Sequence, residues 1–299
     1  MRTSYELIEN FCPGAEAEAM RAAVNAHFDE PERHEPQSHQ VWNYWFVPNT
    51  YAYLRTNPEK VIGDAMADRF FDRVCAAGFE RWGLRHAYRP YLSLYVAGCY
   101  QALHNDAAGG RLGYVYSLTR WNERNFKGGE TLIFREGGYF GTPEMTKPSA
   151  TENFYELIPA RFNQLLVFDD RLPHSVPRIE GQMDPFAGRL VLHGHFEEAG
   201  ITVEGQVDEA EAVAVIEDVR ARLTARARGA YHGLLTVRLW VKRDGSISNV
   251  VPLLDRVLPG QPGVQPFDTE EALKSLRKVD FPPTASESRI TVPLAFALE

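Results

Sequence analysis

Apolar and polar residues alternate through most of residues 91–134, where the chain reads YLSLYVAGCYQALHNDAAGGRLGYVYSLTRWNERNFKGGETLIF. The alternation predicts strand, turn, strand, polar loop and strand, broken at Gly109-Gly110 and at Gly128-Gly129-Glu130. A second apolar run, QLLVFDDRLPHSVPRIEG, predicts a strand closing at Asp169-Asp170, then a turn bounded by Pro173 and Pro177 that presents His174. A third, GRLVLHGHF, is a strand whose Arg189, Val191, His193 and His195 share one face. Upstream, residues 13–27 have the pattern of an amphipathic helix, and DEPERHEPQSHQ that of a polar loop. Residues 59–82 place Val61, Ile62, Met66, Phe70 and Val74 at helical spacing, so these helices should cover the outside of a sheet. Between residues 135 and 164 the chain is irregular and rich in Gly, Pro, Ser and Thr; it reads as a long excursion over the barrel mouth, a substrate lid or a surface insertion.

After Phe196 the pattern changes. An acidic linker-like stretch leads into a helix with Val213, Ile216, Val219 and Leu223 on one stripe. LLTVRLWVKRDGSISNVVPLL then predicts a hairpin about Asp244-Gly245, TEEALKSLRKV a short helix running into FPP, and RITVPLAFAL a closing strand. The division predicts two domains, residues 1–198 and 199–299.

Composition narrows the classes. With 299 residues the chain has room for a large core, and its net charge of −8 without a Lys/Arg cluster argues against nucleic acid as a partner. Three cysteines without a CxxC spacing indicate neither a disulfide framework nor a zinc site. The N-terminus has acidic residues where a signal peptide needs an apolar stretch, and no segment is apolar enough to span a bilayer, so a cytoplasmic protein with no membrane role is expected.

The chemistry lies in the order HxD, His, Arg. His104 and Asp106 are i and i+2, so on an extended backbone both side chains face one metal; His174 would be the third ligand. Two imidazoles and one carboxylate on one face of an iron leave the opposite face open, the facial triad of non-heme Fe(II) oxygenases. Arg189, at the end of an inward row, can hold a carboxylate through two parallel hydrogen bonds. Asp169 and Asp170 read as turn groups supporting the ligands, and Tyr100, Tyr114 and Tyr116 have the β propensity of half-buried strand aromatics.

These blocks resemble the iron(II) and 2-oxoglutarate dependent oxygenases, within them the prolyl 4-hydroxylase-like branch, over roughly the first two thirds of the chain. The resemblance implies a double-stranded β-helix (jelly roll, cupin-like) core, mainly β with flanking N-terminal helices. It implies Fe(II) on His104, Asp106 and His174, with 2-oxoglutarate and dioxygen as cosubstrates. Arg189 matches the residue that binds the distal carboxylate of 2-oxoglutarate; because GQMDPFAG lengthens the stretch before it, Arg178 is the alternative. Tyr95 falls near the family's cosubstrate-binding Tyr, Tyr116 is a further cosubstrate candidate, and Trp121 with Gly128-Gly129-Glu130 matches the family's turn and following strand. His195 and Trp121 are candidate substrate contacts; His193 and His195 also have a structural reading. Family members that halogenate lack the carboxylate, so Asp106 implies hydroxylation or a related oxidation. The expected reaction is hydroxylation of an unactivated C–H bond of an amino-acid residue in a peptide or protein. A free amino acid or small metabolite is the alternative substrate, and a non-catalytic metal-binding barrel the alternative class.

The last third is similar to the C-terminal module of TonB-type energy transducers in its DG hairpin, its short helix ending in F-P-P and its final strand. Without the family's anchor helix and Pro-rich linker, energy transduction is not expected. The small α+β module should instead pair a sheet edge with a peptide or a second copy, or serve as a packing appendage.

Overall fold

The computed structural model describes residues 1–29, 41–107, 111–135, 154–261 and 263–297. Strand β1 (Tyr5–Ile8) and helix α1 (Gly14–Asp29) open the chain, followed by a hairpin of β2 (Asn43–Val47) and β3 (Tyr51–Thr56). Helices α2 (Glu59–Ile62) and α3 (Asp64–Ala77) end in a π-helical turn, Gly78–Trp82, before the short β4 (His86–Ala87). Eight strands then make the barrel: β5 (Tyr91–Tyr95), β6 (Tyr100–His104), β7 (Leu112–Ser117), β8 (Thr131–Phe134), β9 (Tyr155–Ile158), β10 (Gln164–Asp169), β11 (His174–Val176) and β12 (Arg189–Glu197).

Strands β10, β7, β12 and β5 lie side by side in one layer, and β6, β11, β8 and β9 in the other, all pairs antiparallel. The chain alternates between layers except at the β8–β9 pair, which is the winding of a double-stranded β-helix. This is the expected jelly roll, and the helices cover one of its layers. Their reason for docking is the strand period of two: on β7, Tyr116 points outward, where its ring meets Phe70 of α3 at 4.9 Å and Phe11 at 5.9 Å. The helical run over residues 59–82 is broken once, at Gly63 with φ 78°.

Several strands were not expected, among them the β2–β3 hairpin and β9. The β2–β3 hairpin turns through Asn49 at φ 61°, and β3 enters the sheet between β5 and β6, pairing with both. Residues 155–158, read as part of the irregular excursion, form β9 against β8. The rest of the excursion that could form a lid, residues 136–153, lies outside the described residues, as does most of the DEPERHEPQSHQ loop.

In the last third, β13 (Thr202–Glu204), α4 (Glu209–Ala227), β14 (Tyr231–Val241), β15 (Ile247–Pro259), α5 (Thr269–Leu276) and β16 (Ser288–Phe296) form a four-stranded antiparallel sheet, ordered β13-β16-β14-β15, with two helices. The hairpin turns at Asp244-Gly245 as expected. The buried stripe of α4 runs through Ala212, Ile216, Val219 and Leu223, one position off the expected Val213, which is 41% exposed. Alternation along β14 explains how the sheet meets the barrel. Leu235, Val237 and Leu239 face the module's own helices, whereas Leu234 joins the barrel core and Thr236 donates to the Trp82 carbonyl at 2.5 Å. Arg238, on the same side, donates to the Phe79 carbonyl at 2.6 Å.

The edge strand expected to capture another chain is partly engaged already. On β15, Asp255 N–H donates to the Met1 carbonyl at 2.9 Å, the Met1 amine donates to Leu253, and Pro252 has no N–H to offer. No helix among the described residues is long and apolar enough to cross a membrane.

Candidate metal centre

His104 closes β6 and His174 opens β11, and the antiparallel register sets the two residues directly opposite each other, ring centroids 4.2 Å apart. Asp106 lies two residues beyond His104, its backbone N–H fixed to the Asp170 carbonyl at 2.9 Å. One Asp106 oxygen is 3.7 Å from His104 Nε2 and 3.3 Å from His174 Nε2. One ligand atom from each of the three lies within 4.8 Å of the others, the spacing of a three-ligand metal site.

The imidazoles are oriented for ligation. Nδ1 of His104 donates to the Ala102 carbonyl at 2.8 Å, and Nδ1 of His174 to the Leu172 carbonyl at 3.0 Å. With Nδ1 of each ring committed to a backbone carbonyl, Nε2 is the ring atom turned toward Asp106, and Gln101 Nε2 lies 3.0 Å from that of His104. Burial would raise the Asp106 pKa, but hydrogen bonds and charge from His104 and His174 outweigh it and hold the carboxyl far below the usual range, so it is an anion.

Arg189 lies in the same cavity, of about 150 Å³, at 2% exposure. One Nη donates to Thr131 Oγ1 at 3.2 Å and the guanidinium sits 4.8 Å from the Tyr95 ring centroid, but Nε has no partner and no carboxylate among the described residues pairs with it. Burial lowers its pKa, yet an arginine stays charged. A buried, unpaired cation is costly unless an anion arrives. The turn that delivers Thr131 depends on Gly128, at φ 77°, where a Cβ would lie 2.2 Å from the Arg178 carbonyl oxygen.

Tyr95 lines the cavity, opposite Arg189 across β5 and β12, with its hydroxyl 3.4 Å from Gln101. His195 also lines it; Nδ1 is 3.0 Å from Asp170 and Nε2 3.9 Å from Asp106. Burial would lower the His195 pKa, but Asp170 overcomes this and raises it, while burial pushes Asp170 up to about 6. His193 bonds Ser93 at 2.8 Å and is kept neutral by burial and by the nearby Arg55.

Three candidates fall elsewhere. Tyr116 is on the helix side of β7, its hydroxyl donating to Asn163 at 2.9 Å, because it is out of phase with the inward Val115. Trp121 packs edge-on against Phe126 with Arg124 stacked 3.9 Å above it, and does not line the cavity. Arg178 is exposed and lies over the Tyr100 ring, so the inserted GQMDPFAG leaves Arg189 as the cavity arginine.

Among the lining residues that escaped the sequence reading are Tyr53 and Arg55 of β3. Their signal was the run NYWFV, a Pro-Asn turn and YAYLR, an aromatic hairpin pattern.

No family model and no curated protein matches the chain. Among solved structures it is similar to the non-heme alpha-ketoglutarate-dependent epimerase SnoN from nogalamycin biosynthesis, at TM-score 0.46 and 15% identity over 67% of this chain and 80% of that one. It is also similar to a Pseudomonas putida prolyl-4-hydroxylase, at TM-score 0.45 and 16% identity over 66% and 94%. A Trichoplax adhaerens prolyl hydroxylase, solved with a hypoxia inducible factor peptide, gives 0.44 and 14% over 65% and 84%. At such distances the functional reading rests on the site's own residues.

Proposed function

We propose that this chain is an Fe(II)- and 2-oxoglutarate-dependent dioxygenase that hydroxylates an unactivated C–H bond of an amino-acid substrate, as a residue in a peptide or as the free acid. One observation carries the reading: two imidazole Nε2 atoms and one carboxylate converge in a cavity whose wall holds a buried guanidinium that forms no ion pair among the described residues.

The residues fit both groups. His104, Asp106 and His174 would hold the metal, a nitrogen and oxygen donor set that suits Fe(II) and leaves positions open. Arg189, with Thr131 beside it, would hold the distal carboxylate of 2-oxoglutarate over the Tyr95 ring. When bound, the pair supplies oxidation of a C–H bond by dioxygen, coupled to decarboxylation of 2-oxoglutarate to succinate. The protein's part is to orient the ligands, through the backbone carbonyls that fix both imidazoles and the backbone bond that fixes Asp106. His195, steadied by Asp170, presents its Nε2 beside Asp106 on the substrate side. On this reading residues 1–198 are the oxygenase and residues 199–299 an appended α+β module resembling that of TonB, which packs behind the metal loop. A cytoplasmic setting agrees with three unpaired cysteines, two of them buried.

The test is anaerobic titration of the full chain with Fe(II) and 2-oxoglutarate, following the visible charge-transfer band of a keto acid chelated to iron. Wild type should give the band, and His174→Ala should abolish it. A folded wild-type protein without the band would overturn the reading.

A further inference from the structure

We propose that Arg55 anchors a carboxylate on the substrate that is oxidised, in the same cavity as the anchor for 2-oxoglutarate; this deepens the oxygenase reading and rests on it. Arg55 lies on β3 and faces the metal cavity with Tyr53. The register across the sheet gives it Asn43 on one side and Ser93 on the other. A neighbouring row runs Trp45, Tyr53, Tyr95, Arg189, with the Tyr53 and Tyr95 rings stacked at 5.1 Å. Arg189 ends that aromatic row and Arg55 stands in the row beside it, so both guanidiniums line the one cavity.

The surroundings of Arg55 are aromatic. Its guanidinium carbon is 3.3 Å from the Tyr91 ring centroid and 4.6 Å from that of Trp45. Rings on its faces hold the planar group still and leave its edge, where the N–H donors are, for a ligand. Nε is buried without a hydrogen-bond partner, and no acidic residue among the described ones forms an ion pair with Arg55. A strand arginine with no structural ion pair, facing a reaction cavity, is arranged for an incoming anion.

Charge sets the class of that anion. Aspartates and histidines near the cavity account for themselves: Asp170 pairs with His195, and His193 bonds Ser93. A divalent metal, Asp106, Arg189 and the 2-oxoglutarate dianion together are neutral. Arg55 is the charge left over, and one carboxylate on the substrate matches it in charge and in planar geometry. That carboxylate belongs either to a free acid or to an acidic side chain of a peptide.

The experiment uses the full chain loaded with Zn(II) and 2-oxoglutarate, with trifluoroacetate as the probe and its fluorine NMR line width as the readout. Saturable broadening is expected in wild type. Arg55→Gln should raise the apparent Kd for trifluoroacetate roughly tenfold or more, the loss expected for a charge-assisted contact. Arg55→Lys, which keeps charge without the planar edge, should fall between. Both variants should retain wild-type 2-oxoglutarate affinity, which also reports that they are folded. Displacement by N-acetylglutamine would identify a free acid, and displacement by N-acetylglutamate α-amide an acidic side chain; N-acetylglutamine amide should displace nothing. Unchanged trifluoroacetate binding in Arg55→Gln, or equal displacement by the neutral amide, would overturn the proposal. If trifluoroacetate binds while 2-oxoglutarate does not, the oxygenase reading fails and takes the substrate role with it, leaving only an anion site at Arg55.

Discussion

At Arg189 the cost of burying a cation is offset among the described residues by one hydroxyl, the Tyr95 side chain and the field of Glu130, with no ion pair. Removing it should therefore weaken 2-oxoglutarate binding by about 2–5 kcal/mol, the range for truncating one partner of a buried charge pair. A titration of Arg189→Ala that matches wild type within a few-fold would remove Arg189 from the site. Tyr116 makes the opposite case. Its hydroxyl serves Asn163, whose side chain also bonds Cys12, so Tyr116→Phe should cost about 1 kcal/mol in denaturant unfolding and leave 2-oxoglutarate affinity unchanged. Both residues were legible as candidates, and only one faces the cavity. The difference is one position of strand phase, which alternation along β7 alone does not assign to an inner or outer face.

Strands decide which side chains meet. His104 and His174 are brought together by one cross-strand pair between β6 and β11, and Thr131 reaches Arg189 through the turn at Gly128. Because Gly128 has φ 77° and no space for a Cβ, Gly128→Ala should lower stability by more than about 1 kcal/mol, and by displacing Thr131 should also weaken 2-oxoglutarate binding. Thermal melts and the charge-transfer titration check the two effects separately. The triad was legible because HxD on a strand end, GGE and a Pro-bounded His keep a fixed order. Arg55 was not, because β3 comes from well before the motif block and enters the sheet through pairing with β5 and β6, a non-local event.

Across the whole molecule, the module behind the barrel grips the segment that carries His174. Asp169 accepts from Arg171 at 2.6 Å and from Arg256 of β15 at 2.9 Å, and Arg171 in turn donates to the His232 and Arg256 carbonyls. Burial would raise the Asp169 pKa, but the two arginines outweigh it and hold it below the ordinary value. The depressed folded pKa fixes the sign. The stabilisation is complete above the unfolded value of about 3.9 and is lost as pH falls through the lower folded one. Melting temperature should accordingly fall steeply below about pH 4 in wild type, with a flatter acid limb in Asp169→Asn. Arg256→Ala should cost roughly 1–3 kcal/mol at neutral pH, since Arg171 still holds Asp169. An equal acid limb in wild type and Asp169→Asn would show that this junction is not what acid breaks.

The sequence alone determined most of the elements and the donor types. Period-two alternation, a DG turn and the order of HxD, His and Arg are local properties, written in neighbouring residues. The tertiary structure decided which faces became interior, so that Tyr116 and Trp121 left the candidate site and Tyr53 and Arg55 entered it. It also turned the module's expected open edge toward Met1 and its far face toward the barrel. Those outcomes depend on register and layer packing between segments distant in the chain, where each side chain's surroundings are set by its partners rather than by its own neighbours in sequence.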